Sequence, residues 1–284
     1  MPHLTLSLAY DPPYDWPALL RFFAARAIPG VDEVEGQTYR RTFVLGRAQG
    51  RLAVAPTATG ALTADIWTSG KADEALLTSK LRRLFDLDAP GKRISAHLRR
   101  DKRLAASLKK RAGLRVPGVW DPFELGVRAI LGQQVSVAAA STLAGRIAMK
   151  FGKNAAKGHA TLTHLFPKPE DLADANLNGL GLTTKRAATV TVFARAVATD
   201  PDLLSPQHAL EELVERIVDL DGFGPWTAHY MAMRMGHADA FPASDLGVRK
   251  ALDMAPEKDV LRRAEPWRPY RAYAAMHLWA SLSD

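Results

Sequence analysis

The chain has 284 residues, 47% of them hydrophobic, and eight more basic than acidic side chains. That length holds one large or two medium domains, and the basic excess suits a polyanionic partner as well as a plain solvated surface. Cysteine is absent, which excludes disulfides, cysteine-ligated zinc and a cysteine-held iron–sulfur cluster.

Met1-Pro2-His3 begins no signal peptide, and no apolar run reaches the length of a membrane span. A cytoplasmic location is therefore expected. Residues 4–10 alternate Leu, Thr, Leu, Ser, Leu, the period of a strand. Asp11-Pro12-Pro13 is a turn. Residues 15–27 read as a helix, with Asp15 as N-cap and Pro17 near its start. Strand character returns at 40–45 and 52–55, joined through 46–50, and again at 61–67. Residues 71–87 are helical, with Leu76, Leu77, Leu81 and Leu84 on one stripe. The opening ~110 residues thus predict a small α+β domain. Residues 92–115 carry ten Lys or Arg and a single acid, Asp101. A solvated helix face explains such a run, and so does a binding groove.

Val116-Pro117-Gly118 reads as a boundary, giving domains at 1–116 and 117–284. Beyond it the pattern is almost wholly helical. Asp121-Pro122-Phe123-Glu124 has the form of a helix start: Asp as cap, Pro first, Glu three residues after the cap. Phe123, Val127, Ile130 and Leu131 continue a helical stripe until Gly132-Gln133-Gln134-Val135-Ser136 interrupts it. A small-residue helix follows at 137–149. Asn178-Gly179-Leu180-Gly181-Leu182 is a glycine turn before a further helix. Residues 201–206 form a loop, 209–220 a helix, and the last helix spans about 269–282.

The most informative stretch runs from Leu220 to Asp245. Gly222 and Gly224 flank Phe223, and Pro225 opens a helix marked by Trp226, Tyr230 and Met233. A tight glycine hairpin between two helices presents backbone N–H groups at a helix start, which suits a phosphate. Ala243-Ser244-Asp245 then precedes another helical run, and a helix start favours a carboxylate. A lone G-x-G before a helix is a weak signal, and an Asp at a helix start is ordinarily a cap.

Together these features resemble the helix-hairpin-helix DNA glycosylase superfamily with its Gly/Pro-Asp motif, in particular the bacterial 3-methyladenine DNA glycosylase II (AlkA-type) branch. The resemblance extends from Pro12-Pro13-Tyr14-Asp15-Trp16 through Arg83-Leu84-Phe85-Asp86-Leu87, Gly126-Val127-Arg128-Ala129-Ile130-Leu131-Gly132-Gln133 and Trp267-Arg268-Pro269-Tyr270-Arg271 to Met276-His277-Leu278-Trp279. It implies an α+β fold: a small N-terminal domain with an antiparallel sheet, followed by an all-helical helix-hairpin-helix region. It implies a monofunctional glycosylase that excises alkylated bases from double-stranded DNA in base-excision repair, acting as a monomer, nucleoid-associated, with no catalytic cofactor.

Carried onto this chain, the resemblance makes Asp245 the catalytic carboxylate, while Ser244 and Asp239 fall outside the motif position. Gly222, Phe223, Gly224 and the main chain of Trp226 grip the DNA backbone, and the carbonyls of Val218, Leu220 and Phe223 hold Na+ or K+. Phe22, Trp226, Tyr230 and Trp279 form an aromatic base pocket, and Gln133 and Gln134 form the turn that wedges the duplex. Leu246 stands where the family has a tyrosine, and Gln134 where it often has an apolar wedge. Trp226 replaces the lysine of bifunctional relatives, so no Schiff base is expected. His229 and His277 have no ligand partner at i+4 and read as structural. Two other readings stay open: a non-catalytic lesion or DNA-binding protein, and a glycosylase for another base such as uracil, hypoxanthine, 1-methyladenine or 3-methylcytosine.

Overall fold

The computed structural model describes residues 2–156 and 158–282. Strands β1 (His3–Ala9), β2 (Asp32–Glu35), β3 (Thr38–Leu45), β4 (Ala48–Pro56) and β5 (Ala61–Thr68) form an antiparallel sheet in the order β1-β5-β4-β3-β2. Two helices interleave with or follow the sheet: α1 (Trp16–Arg26) and α2 (Glu74–Leu84). The rest is helical: α3 (Gly91–Leu98), α4 (Lys102–Lys110), α5 (Pro122–Leu131), α6 (Val137–Phe151), α7 (Pro169–Leu172), α8 (Thr184–Thr199), α9 (Leu210–Val218), α10 (Pro225–Arg234), α11 (Leu246–Ala251), α12 (Glu257–Ala264) and α13 (Arg271–Ser281). The α+β architecture expected from the sequence is the one observed. No helix among the described residues is long and apolar enough to cross a membrane.

The chain folds into two compact units that interleave along the sequence. The first takes the chain up to Tyr10, Leu20–Arg82 and Trp120–Leu204. It contains the sheet, whose central strands alternate strictly: Leu52 and Val54 of β4 and Leu62, Ala64 and Ile66 of β5 are buried. Period-two patterning requires one buried face. The edge strand β1 buries only Leu8. In the same unit α5 packs on α8, where Phe123 stacks on Phe193 at 5.4 Å. Gly126 permits that approach, since a Cβ there would lie 2.3 Å from the Phe193 ring.

A buried charge cluster ties the sheet to α5 within this unit. Arg41 donates to Glu124 at 2.7 Å, and both are almost fully buried. Asp32 accepts from the Ile28 N–H at 2.6 Å and the Tyr39 hydroxyl at 3.2 Å. Burial raises the Asp32 carboxyl above its ordinary range.

The second unit takes Asp11–Leu19, Arg83–Val119 and the chain from Ser205 on. The basic run 92–115 forms two short helices, and its side chains are solvated at Lys92, Arg93, Arg99, Arg100, Lys102, Arg103, Lys109 and Lys110, while Arg115 is buried. Its single acid is structural. Asp101 caps α4 through the N–H groups of Arg103 and Leu104 and also accepts from the Trp267 indole at 3.0 Å.

Several sequence expectations shift in detail. The helix expected at 71–87 is confined to α2, and Leu76 is 40% exposed while Leu77, Leu81 and Leu84 are buried. The core stripe is therefore three residues wide, at spacings of four and three. Strand β2 carries three acids in four residues and no strong alternation, so it left no period-two signal. In the glycine turn at 178–182, Gly179 and Gly181 take φ of +81° and +87°, and the Leu180 carbonyl accepts from Arg146 at 3.0 Å.

Breaking a buried ion pair by removing one partner strands the other charge. Glu124→Ala should therefore cost about 3–5 kcal/mol in urea unfolding, and a cost below about 1 kcal/mol would place the pair with ordinary surface salt bridges.

Candidate active site

The site is built in the second unit, from α9, α10, α11 and α13. Helix α9 buries Leu213 and Ile217 against α10. Its end is closed by the Leu220 N–H donating to the Ile217 carbonyl at 3.2 Å. The chain then reverses: Gly222 adopts φ +89°, a conformation that favours glycine, and the Phe223 N–H donates to the Leu220 carbonyl at 3.0 Å. The Phe223 ring is buried and pins the turn. Gly224 caps α10 with an extended backbone, Pro225 takes the first helical position, and Ala228 is the first residue to donate back, to the Gly224 carbonyl at 3.0 Å. The N–H groups of Trp226 and Thr227 precede that first turn and have no intrahelical acceptor. A Cβ on Gly224 would meet nothing within 4 Å.

Asp245 is the N-cap of α11. Its Oδ1 accepts from the Val248 N–H at 2.9 Å. The same oxygen accepts from the Trp279 indole on α13 at 2.7 Å, and Oδ2 accepts from the Trp226 indole on α10 at 2.9 Å. Three helices thus converge on one carboxylate. Among the described residues Asp245 makes no ion pair, and it is only half-buried. Three directional donors fix its plane while part of its surface stays accessible.

The aromatic wall is equally constrained. Trp226 and Tyr230 stack with centroids 5.6 Å apart and planes 4° from parallel. The Tyr230 hydroxyl accepts from Arg234 at 2.9 Å, and Arg234 also donates to the carbonyls of Pro117 and Gly118. The tyrosine is therefore held by a buried arginine that the boundary segment anchors. Leu246 is 55% exposed at the first position of α11.

The structure brings Trp226, Tyr230, Asp245, Leu246 and Trp279 into one region, next to the hairpin of Gly222, Phe223 and Gly224. The carbonyls of Val218, Leu220 and Phe223 lie at the end of α9 and in the turn, and Leu220 uses one acceptor site on Phe223. Phe22, Gln133 and Gln134 belong to the first unit. There the Arg26 guanidinium covers one face of the Phe22 ring at 3.8 Å, the Gln133 carbonyl accepts from Arg186, and Gln134 is exposed with φ +57°. Asp239 is engaged by Arg268 and by Arg271, the latter at 2.8 Å. His229 accepts from the Phe241 N–H at 3.4 Å, and His277 contacts the Ser107 hydroxyl at 3.0 Å. Burial lowers both imidazoles, His277 to about 4, so both are neutral at pH 7.

Sequence reasoning placed the indole rings but not their N–H groups, which hold the carboxylate. It also passed over Gly247. A Cβ there would lie 2.9 Å from the Trp279 ring and 3.0 Å from Asp245 Oδ1. The available signal was a glycine inside a helix start two residues after the Asp.

Residues 5–121 match the AlkA N-terminal domain, and residues 127–256 match the HhH-GPD superfamily base excision DNA repair protein. The DNA-3-methyladenine glycosylase 2 of Escherichia coli is 34% identical over 96% of this chain and 96% of its own. A probable bifunctional transcriptional activator/DNA repair enzyme AlkA of Mycobacterium tuberculosis is 36% identical over 98% of this chain, which spans 57% of that relative's length. The solved 3-methyladenine DNA-glycosylase of Archaeoglobus fulgidus shares the fold, with a TM-score of 0.80 at 23% identity over 97% of both chains. Hairpin, capped aspartate and matched domains define a helix-hairpin-helix protein of the base-excision repair superfamily. Within it, the chain belongs to the AlkA family, with the E. coli DNA-3-methyladenine glycosylase 2 as a relative along nearly its whole length.

An alanine in a helix is ordinarily worth about 1 kcal/mol over glycine. Gly247→Ala should forfeit that gain and shift the indole N–H resonance of Trp279, because the methyl meets the ring and the carboxylate. A full stability gain with an unmoved resonance would show that the close approach is not a constraint.

Proposed function

We propose that this chain is a monofunctional DNA glycosylase that removes alkylated bases from double-stranded DNA. The observation that carries the reading is the Asp245 carboxylate, oriented by two neutral indoles beside a phosphate-ready hairpin. The hairpin N–H groups receive a DNA phosphate without reading sequence, and the open space over Gly224 lets the DNA backbone approach. The target nucleotide flips out of the stack to reach the pocket. An N3- or N7-alkylated purine is cationic, and each electron-rich ring face of Trp226, Tyr230 or Trp279 attracts it by about 0.5–2 kcal/mol.

The bond between C1′ and the base nitrogen breaks, and its electron pair leaves with the base. Positive charge develops on the sugar, and Asp245 stabilises it. Water then adds to C1′, its proton passing to Asp245 or to solvent. The resembling family's lysine position is Trp226, so the chain has no amine there to form a Schiff base. The carbonyls of Val218, Leu220 and Phe223 are hard oxygen donors near the negative end of α9, a donor set that fits a monovalent cation such as Na+ or K+. Bound there, the ion would add positive charge beside a DNA phosphate. We place the protein in base-excision repair, as a monomer in the cytoplasm, associated with the nucleoid. The domains are proposed as 1–116 and 117–284.

Asparagine caps helices as well as aspartate does, so Asp245→Asn should fold and bind DNA yet release bases at least about 100-fold more slowly. The assay is chromatography of free bases from methylated duplex DNA. Trp226→Phe removes one hydrogen bond to the carboxylate but no charge, so its loss should be smaller. Borohydride added to the wild-type reaction should trap no covalent adduct. Wild-type release by the Asn variant would remove Asp245 from the chemistry.

The two departures from the family pattern point to substrate range. Gln134 is exposed in a strained left-handed conformation, which costs about 1–3 kcal/mol and occurs preferentially at functional turns. We propose it as the wedge, where glutamine fills a vacated stack less well than leucine. A weak wedge favours lesions that already pair badly, since flipping costs a few kcal/mol, least at damaged pairs. Exposed Leu246 removes one ring face from the pocket wall. Activity should therefore include 1-methyladenine or 3-methylcytosine besides N3-methylated purines. Leu246→Tyr should narrow the range, and Gln134→Leu should tighten binding to lesion-bearing duplex. Active enzyme that leaves both pairing-edge lesions untouched would refute this.

A further inference from the structure

A second feature of the same unit is independent of Asp245. A cavity of about 320 Å³ opens beside the start of α3, and its wall includes Lys92, Ser95, Arg99 and Arg115 but no carboxylate. Lys92 and Arg99 are exposed at its rim, whereas Arg115 is 1% exposed. The Arg115 Nη2 donates to the carbonyls of Asp11 at 2.8 Å and Pro13 at 3.3 Å, and its guanidinium lies over the Tyr14 ring. Its Nε is buried with no hydrogen-bond partner, and the side chain makes no ion pair among the described residues.

Helix α3 starts against this cation. A Cβ on Gly91 would lie 2.6 Å from Arg115 Nη1. Pro90 caps the helix without any side-chain hydrogen bond, and the first N–H to donate into the helix is that of Ile94, to the Pro90 carbonyl at 3.0 Å. The N–H groups of Lys92 and Arg93 therefore stand at the positive end of the helix dipole. Asp86 also acts on Arg115, but its oxygens accept from the Val116 N–H at 3.1 Å and the Tyr273 hydroxyl at 3.0 Å. A buried guanidinium, a helix N-terminus and two rim cations meet with no counter-charge in contact. Desolvated charge in that arrangement is costly until an anion enters.

We propose that this cavity is a binding site for a phosphate group. Arg115 and the start of α3 receive its oxygens, and Lys92 and Arg99 close over it. Helix N-termini and arginine forks are the groups that recognise phosphate. The phosphate belongs either to a small molecule or to a DNA strand.

Isothermal titration of the full chain with inorganic phosphate, at constant ionic strength, tests the site. The wild type should show a saturable event that substitutions at this cavity weaken. Lys92→Ala and Arg99→Ala, both on exposed side chains, should each weaken it about tenfold, and the double variant about a hundredfold. Gly91→Ala should weaken it too, by displacing the guanidinium. Circular dichroism and urea unfolding of the Lys92 and Arg99 variants should match the wild type. No saturable uptake, or uptake unchanged in the double variant, overturns the proposal. Repeating the titration with undamaged duplex present assigns the source. Competition by duplex supports a strand phosphate, and undiminished uptake supports a small phosphorylated molecule.

Discussion

A carboxylate stabilises a neighbouring cation well only if it is already aimed, and at Asp245 three N–H donors do the aiming. Each donor comes from a different helix, so the geometry of the site is the geometry of helix packing. Helix α10 delivers Trp226 only because the glycine hairpin turns the chain after α9. Helix α13 delivers Trp279 only because Gly247 lets α11 come within contact distance of the indole. The turn at Gly222 and the contact at Gly247 are two places where a side chain would strain this arrangement. One supplies a dihedral angle and the other supplies space.

The same logic extends outward from the carboxylate. Tyr230 stacks on Trp226, its hydroxyl is held by Arg234, and Arg234 is held by two carbonyls of the segment at Pro117 and Gly118. A buried arginine that donates to neutral carbonyls keeps its positive charge, yet its bonds fix a ring. The contrast with Arg41 and Glu124 is instructive. There a buried charge is matched by an opposite one and ties the sheet to a helix. Neutral partners accompany the charges near Asp245, and an opposite charge accompanies the one in the framework.

Much of this was legible in the chain. Strict alternation in β4 and β5, the Asp-Pro start of α5 and the Gly-Phe-Gly-Pro hairpin each state a local rule that the fold obeys. What stayed hidden depends on long-range approach. The Trp226 and Trp279 indoles lie 19 and 34 residues from Asp245 along the chain. Periodicity assigns a tryptophan to a face but not its N–H to an acceptor. Leu76 shows the same limit from the other side, since its spacing fits the stripe but its neighbours leave it exposed. Strand β2 was invisible because a short edge strand needs pairing with β3, not a pattern of its own.

The choice of tryptophan as the holder of Asp245 is itself informative. Two donors that point at two different oxygens require two acceptors, which a carboxylate offers and an amide does not. A pure N-cap carries no such demand, since serine or asparagine caps equally well. Arginine or lysine would also have oriented the group, and would have cancelled its charge in doing so. Indole N–H groups orient without neutralising, and their apolar bodies exclude water from the sides of the carboxylate. In such a partly dry setting the field of an uncancelled charge reaches further than it would in water. The arrangement therefore suits a group that must face a developing positive charge, and it asks nothing of a metal ligand or of a structural salt bridge.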